Sequence, residues 1–259
     1  MRRILLKVAY DGTNYCGFQF QKNGITVQQV LEETLSEWLK EDIHIMSASR
    51  TDAGVHALGN AAAFDTETLI PGEKYAYGLN VSLPPDIRIT GSREVPLSFH
   101  PRFTETIKTY EYRIWHSAFE NPLTRLYSLH LHGRLDVDRM RAAGLYLTGE
   151  HDFAAFAAAG YSSKTTVRTI YRLIIDGERD GMITLSVTGN GFLYNMVRII
   201  AGTLIEVGKG EYPPEHVAEI LESRSRKEAG PTAPAHGLTL VNIEYPALDS
   251  DAGLQKENI

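Results

Sequence analysis

The hydrophobic residues of this chain change period along its length, and that change dictates a mixed fold. Ile4, Leu6, Val8 and Tyr10 recur every second residue, the spacing of a half-buried strand, and Asp11-Gly12 ends the run as a turn. From Thr26 the spacing becomes helical. Val27, Val30, Leu31, Thr34, Leu35 and Trp38 form one stripe, and Thr26 with Gln29 three residues later reads as a capping box. Residues 60–65 read as a strand, and residues 71–83 as a helix stopped by Pro84-Pro85.

The pattern loosens over residues 96–106, where a junction between two halves is expected, and the theme then recurs. Residues 109–115 read as a strand with Tyr110, Tyr112 and Ile114 on one face and Glu111, Arg113 and Trp115 on the other. Val137, Met140, Gly144 and Leu147 mark a helix capped by Asp136 and stopped at Gly149. Residues 170–175 and 183–188 read as paired strands joined near Asp180-Gly181. Met196, Ile199, Ile200, Thr203, Leu204 and Val207 form an amphipathic helix ending at Gly208, Pro213-Pro214 opens a short helix through Leu221, and residues 238–245 close the chain as a strand. Strands and helices in mixed order argue for α+β with a largely antiparallel sheet. The expected division is 1–102, 103–248 and a polar tail, 249–259.

The stretch Arg50-Thr51-Asp52-Ala53-Gly54-Val55-His56-Ala57 sets one carboxylate between an arginine and a glycine. A neighbouring cation favours the ionised form of Asp52, which suits a nucleophile or charge stabiliser and not a proton donor. Gly54 permits a sharp turn beside it. On spacing alone, an Asx turn closing a loop is the commoner meaning.

Composition excludes several classes. With 259 residues, 43% of them hydrophobic, the chain can build one or two domain cores. A single cysteine, Cys16, rules out an internal disulfide framework; nine scattered histidines offer no CxxC-type zinc pattern, and His130 with His132 on one strand face lack a third ligand. There is no Walker loop and no GxGxxG fingerprint. The basic, apolar opening is interrupted by Lys7 and Asp11 before a signal-peptide core forms, and no run approaches a membrane span, so cytoplasmic residence is expected. The net charge of −6 opposes a nucleic-acid partner. Its distribution weakens the objection: Glu32, Glu33, Glu37, Glu41 and Asp42 crowd one helix and its end, and Asp249, Asp251 and Glu257 lie on the tail. Arg50, Arg88, Arg93, Arg102, Lys108, Arg113, Lys164, Arg168, Arg172 and Arg198 remain to gather on one face, although each by itself also fits a solvated surface cation.

The octamer from Arg50 to Ala57 resembles the signature of the tRNA pseudouridine synthase A family, and its companions occur in order. They are Tyr10-Asp11-Gly12-Thr13, Tyr15-Cys16-Gly17-Phe18-Gln19, Thr26-Val27-Gln28, Phe99-His100-Pro101-Arg102, Lys108-Thr109-Tyr110-Glu111-Tyr112-Arg113, Gly149-Glu150-His151-Asp152-Phe153, the run from Gly191 to Arg198, and Gly237-Leu238-Thr239-Leu240. The resemblance implies two related α+β halves sharing a largely antiparallel central sheet with helices packed on it, and an active-site cleft between the halves. It implies isomerisation of uridine to pseudouridine in the tRNA anticodon stem-loop, at tRNA positions 38, 39 and 40, by a homodimer that needs no cofactor. It assigns Asp52 as nucleophile, Tyr110 to stack on the flipped base, Arg198 to pair with Asp52, Arg50 to base flipping and phosphate contact, and Leu238 to the floor of the uracil pocket. Cys16 receives no role, the cluster Arg224, Arg226 and Lys227 reads as a solvated helix end in preference to an RNA contact, His56 reads as structural, and His151-Asp152-Phe153 reads as a helix-start or packing motif.

Two other classes compete. A non-catalytic RNA-binding module shares such folds and basic faces, but does not require Asp52 with Arg50 and Tyr110. A nucleoside hydrolase or glycosidase would use the same Asp, normally with a second carboxylate or a calcium-binding Asp cluster, and neither lies near Asp52 in sequence.

Overall fold

A strand with apolar residues at every second position needs one covered face and two ladder partners. The computed structural model describes residues 1–160 and 164–248. In chain order its elements are β1 (Arg2–Tyr10), α1 (Val27–Leu39), β2 (Met46–Ser47), β3 (His56–Thr66), α2 (Tyr75–Ser82), β4 (Ile87–Val95), β5 (Ile107–His116), β6 (Leu129–Leu131), α3 (Val137–Leu145), β7 (Gly149–Asp152), β8 (Val167–Arg179), β9 (Met182–Gly189), α4 (Met196–Lys209), α5 (His216–Ser223) and β10 (Leu238–Glu244). They fall into two compact units, Met1–Thr106 with the chain from Leu240 onward, and Ile107–Thr239. The sequence reading kept the closing strand with the second half, whereas from Leu240 it packs with the first. The tail, 249–259, lies outside the described residues.

In the first unit the strands run β4-β1-β3-β10, with short β2 paired to β3. β1 is antiparallel to both neighbours, setting Ile4 opposite Phe64 and Glu94, and Leu6 opposite Ala62 and Ser92. Ile4, Leu6, Val8 and Phe64 are fully buried, as are Val27, Leu31 and Leu35 of α1. Tyr75 of α2 meets Phe64 edge-on at 5.5 Å and Trp38 of α1 at 5.7 Å. A second cluster holds Leu5, Ala61, Ala63, Val95, Phe99 and Tyr245. β4 is absent from the sequence reading because Arg88, Thr90, Ser92, Arg93 and Glu94 dilute its apolar signal; a charge-rich strand at the end of the order is how sheet edges resist unwanted pairing.

Local chemistry shapes α1. Thr26 Oγ1 accepts the Gln29 backbone N–H at 3.3 Å, one half of the expected box, while the Gln29 amide donates to Glu33 at 2.9 Å instead of turning back. Two of the acidic residues expected in solvent act as acceptors. Glu32 takes the Ile45 N–H at 2.8 Å, and Glu41 takes the Thr66 hydroxyl at 2.7 Å. Residues 71–83 begin with a 3-10 turn, Gly72–Lys74, before α2.

In the second unit β6 joins β5 in parallel, and β5-β9-β8-β7 continue antiparallel. Tyr110, Tyr112 and Ile114 share the buried face of β5, as their alternation requires. Asp180 and Gly181 both have positive φ, 57° and 86°, the geometry of a tight hairpin between β8 and β9. Asp136 caps α3 by accepting the Arg139 N–H at 3.1 Å. Ile199, Ile200 and Leu204 of α4 are fully buried, and Gly202 lets the helix touch the backbone oxygen of Pro231, which a Cβ would approach to 1.8 Å.

Arg3 grips Asp65 through Nε and Nη2 at 2.7 and 2.8 Å, and this partner holds the Asp65 carboxyl below its ordinary pKa. A depressed folded-state pKa gives stability that is present above the unfolded pKa and is lost as pH falls through the folded one. We expect Asp65→Asn to cost about 1 to 2 kcal/mol at pH 7. The gap from the unsubstituted protein should close on acidification below the ordinary aspartate range, as measured by urea denaturation over a pH series.

Candidate active site

Asp52 sits at the start of a β-turn in which the Val55 N–H donates to the Asp52 carbonyl at 3.1 Å. Gly54, with φ +77°, takes the third position, and Ala53 has no positive φ, which together describe a type II turn. Buried polar bonds fasten the preceding residues to β1 and β3. The Tyr10 and Thr51 hydroxyls are 2.7 Å apart, and the Asn60 amide donates to Tyr10 Oη at 3.2 Å and to the Ser49 carbonyl at 3.1 Å. Asn60 and Thr51 are buried, so losing either partner would strand a polar group away from water.

Two glycines bring the loop after β1 against this turn. Phe18 N–H donates to Thr51 O at 3.1 Å; a Cβ on Gly17, whose φ is +86°, would lie 2.6 Å from that oxygen and 3.2 Å from the Asp52 carbonyl carbon. A Cβ on Gly12 would fall 2.1 Å from Val55 O. His56, 4% exposed, has Nδ1 at 3.1 Å from both the Gly12 nitrogen and Asp11 Oδ1. One ring position cannot accept and donate together. Asp11 Oδ1 already accepts from Thr13 N at 3.0 Å and Oγ1 at 2.5 Å, so we take His56 as the acceptor for Gly12, a structural part. The Asp52 side chain itself is half-buried.

Arg50 is exposed at the head of the turn. Partial burial and then the positive charge of Arg102 lower its pKa. Cys16 is half-buried, with Sγ at 2.3 Å from where a Gly24 Cβ would stand, so it fills space against that glycine.

Three of the other expected residues lie in the second unit. Arg198, half-buried on α4, donates from Nε to Ala233 O at 2.7 Å and from Nη1 to Asn195 Oδ1 at 2.9 Å, and its own carbonyl accepts Ala233 N–H at 3.1 Å. Tyr112 donates its hydroxyl to Pro234 O at 2.9 Å, and a Cβ on Gly237 would fall 2.7 Å from its ring carbon Cζ. Burial raises the Tyr112 pKa against the opposing charge of Arg198, so the phenol stays a donor. These bonds lay down residues 233–237 and deliver buried Leu238 at the start of β10. Tyr110 lies two residues before Tyr112 on the same face, 9% exposed, with the ring of Phe192 edge-on at 5.2 Å.

Two of the cations expected to gather on one face, Arg88 and Arg168, hold backbone, as does Arg226 of the basic cluster near residue 225. Arg88 Nη1 donates to the Pro84 and Ile87 carbonyls at 2.6 and 2.7 Å, Arg168 Nη1 to Thr165 and Val167 at 3.0 and 2.6 Å, and Arg226 Nη1 to Ala229 and Gly230 at 3.2 and 3.0 Å. Arg113 meets Glu111 at 3.2 Å, and Arg224 meets Asp152 at 3.2 Å. Asp152 also accepts Ala154 N–H at 3.1 Å to start the 3-10 turn Ala154–Phe156, with Phe153 fully buried. His130 bonds Ser117 O at 2.9 Å through Nε2. Among the described residues no group of three or more His, Cys, Asp or Glu is arranged to hold a metal. Tyr10, Gly12, Gly17 and Asn60 carry no site role in the sequence; the one signal is a polar Asn60 directly before the apolar run 61–64.

A family model described as tRNA pseudouridine synthase matches residues 7–104 and 143–246. The tRNA pseudouridine synthase A of Geotalea uraniireducens (strain Rf4) is 49% identical over 245 residues, which cover 95% of this chain and 100% of that protein. Proteins of the same name from Ruminiclostridium cellulolyticum and Geobacter sulfurreducens are 49% and 47% identical over 245 and 247 residues, with the same coverage.

The two-glycine contact makes a local forecast. Gly17→Ala places a Cβ against the Thr51 carbonyl at a left-handed φ, and should cost about 2 to 4 kcal/mol of stability. Thermal denaturation reads the loss, and amide exchange at Val55 should accelerate as the Asp52 turn loosens.

Proposed function

We propose, from the premise that this chain belongs to the tRNA pseudouridine synthase family, that Asp52 is the nucleophile of its reaction. The reaction is isomerisation of uridine to pseudouridine within tRNA. It breaks the bond from the sugar C1′ to uracil N1, turns the base in place, and joins C1′ to C5; C5 then loses its proton and N1 regains one. An aspartate meets the first demand. It attacks C1′, or assists departure of the uracil anion, and so divides one hard step into easier ones. The leaving group is retained, so no second carboxylic acid is needed to expel it, in contrast to a glycosidase.

The observation that carries this reading is the construction of the Asp52 turn. A half-buried carboxylate stands on a type II turn whose neighbours are bound by Tyr10, Asn60 and the loop at Gly17. Holding a reacting group in place lowers the barrier by removing freedom before the reaction begins. A mere binding module has no use for such fixity at one carboxylate.

The other roles follow the resemblance. The target uridine leaves its stack at a cost of a few kcal/mol, and Tyr110 offsets part of that by stacking on the base, worth about 1 to 3 kcal/mol. Tyr110 also stands as the group that helps remove the C5 proton. The position of Tyr110 in the motif Lys108-Thr109-Tyr110-Glu111-Tyr112-Arg113 favours it over Tyr112 for this work. Arg198 is proposed as the ion-pair partner of Asp52, Arg50 as the contact to phosphate during flipping, and Leu238 as the floor under uracil. The anticodon arm as substrate, tRNA positions 38, 39 and 40 as targets, a homodimer and cytoplasmic residence belong to the same proposal. Among the described residues no helix is long and apolar enough to cross a membrane.

Incubation with tRNA carrying tritium at uridine C5 tests the reaction. Isomerisation releases tritium, binding alone does not, and hydrolysis yields free uracil. Asp52→Asn should abolish release with tRNA affinity nearly unchanged, and substantial residual activity would return Asp52 to a turn-forming role. Tyr110→Ala should also lose turnover; an unaffected rate would assign that ring to the core.

A further inference from the structure

The segment that ends the first unit displays an aromatic ring on a stiff turn. Phe99 is buried, edge-on to Tyr245 at 4.9 Å, and Tyr245 donates its hydroxyl to Pro101 O at 2.8 Å. The Phe103 and Thr104 N–H groups both donate to His100 O, at 3.2 and 2.9 Å, and Thr104 Oγ1 accepts His100 N–H at 3.2 Å. Arg102 N–H donates to His100 Nδ1 at 3.1 Å, which requires an unprotonated nitrogen there. Burial and the charges of Arg3 and Arg102 lower the His100 pKa, in keeping with that role. At the tip, Phe103 remains 77% exposed, with the His100 ring 4.3 Å behind it and the Arg102 guanidinium 5.9 Å from its centroid.

A lone exposed phenylalanine is ordinary. This one is held rigid, backed by a neutral ring and flanked by a cation. The positive charge of Arg102 also lowers the Arg50 pKa, an opposition of like charges that an incoming anion would relieve. An aromatic platform beside a guanidinium group matches the repeat of a single nucleic-acid strand, in which flat bases alternate with phosphates. An acidic peptide would satisfy the cation and leave the ring without a partner.

We propose that Phe103, with His100 behind it and Arg102 beside it, is a stacking subsite for an unpaired base of the RNA substrate, Arg102 taking an adjoining phosphate. The inference rests on the tRNA-modifying reading above. The subsite adds affinity for RNA that has its bases splayed and leaves the chemical step to Asp52.

The test uses the full chain with an anticodon stem-loop RNA. Phe103→Ala should lower kcat/KM about tenfold, within the range of one base stacked on one ring, mostly through KM and with an unchanged melting temperature; Phe103→Trp should restore it. The indole introduced by Phe103→Trp should be quenched by a single-stranded oligouridylate beyond the quenching seen in the unsubstituted protein, and not by poly-glutamate. A Phe103→Ala enzyme with full kcat/KM, or equal quenching by poly-glutamate and by RNA, would overturn the proposal. Absence of tritium release from the unsubstituted protein would instead defeat the functional reading, and the quenching arm would still decide the subsite.

Discussion

The backbone of one loop rests directly on the backbone of another at Gly17 and Gly12, and the geometry around Asp52 depends on that contact. Neither position leaves room for a Cβ, so the approach is available to glycine alone. Once the backbones meet, Phe18 N–H reaches Thr51 O, Thr51 Oγ1 reaches Tyr10, and Asn60 ties Tyr10 to Ser49. Each of these polar groups is buried with its partner, which makes the assembly cooperative: removing one member leaves the next without its bond. The carboxylate is thereby carried on a frame built by β1 and β3, although Asp52 itself belongs to neither strand.

The second unit solves a similar problem with different means. There a side chain from a helix, Arg198, and one from a strand, Tyr112, catch successive carbonyls of residues 233 and 234. An irregular segment is laid along buried elements without leaving its backbone polar groups wasted. Leu238, which follows this segment at the start of β10, is buried.

The net charge of −6 gives little guide to ligand preference, because many charges are absorbed locally. Arg3, Arg88, Arg168 and Arg226 hold carboxylates or carbonyls, and Glu32 and Glu41 serve as acceptors for loop groups. Arg50 differs in that the positive charge of Arg102 lowers its pKa. What matters for a phosphate partner is this local placement, since an opposing charge a Debye length away is largely screened.

Much of the fold was legible in the residues themselves. The alternation at Ile4, Leu6 and Val8, the caps at Thr26 and Asp136, and the hairpin at Asp180-Gly181 are local signals, and each appears in the structure. β4 was not legible, because an edge strand carries charges that hide its period, and the allegiance of the chain from Leu240 was not, because contacts between distant segments decide it, among them β10 on β3 and Tyr245 on Phe99. At the candidate site, the sequence by itself determined the residue types: a carboxylate beside Gly54, the two β5 tyrosines on one face, an arginine set among apolar residues of α4. Only the tertiary structure decided that Gly12 and Gly17 support the Asp52 turn, that Tyr112 spends its hydroxyl on Pro234, and that Phe103 stays outside on a rigid turn. Those outcomes depend on contacts between segments far apart in the chain, where steric exclusion and the need to satisfy buried polar groups act on neighbours that no local period can name.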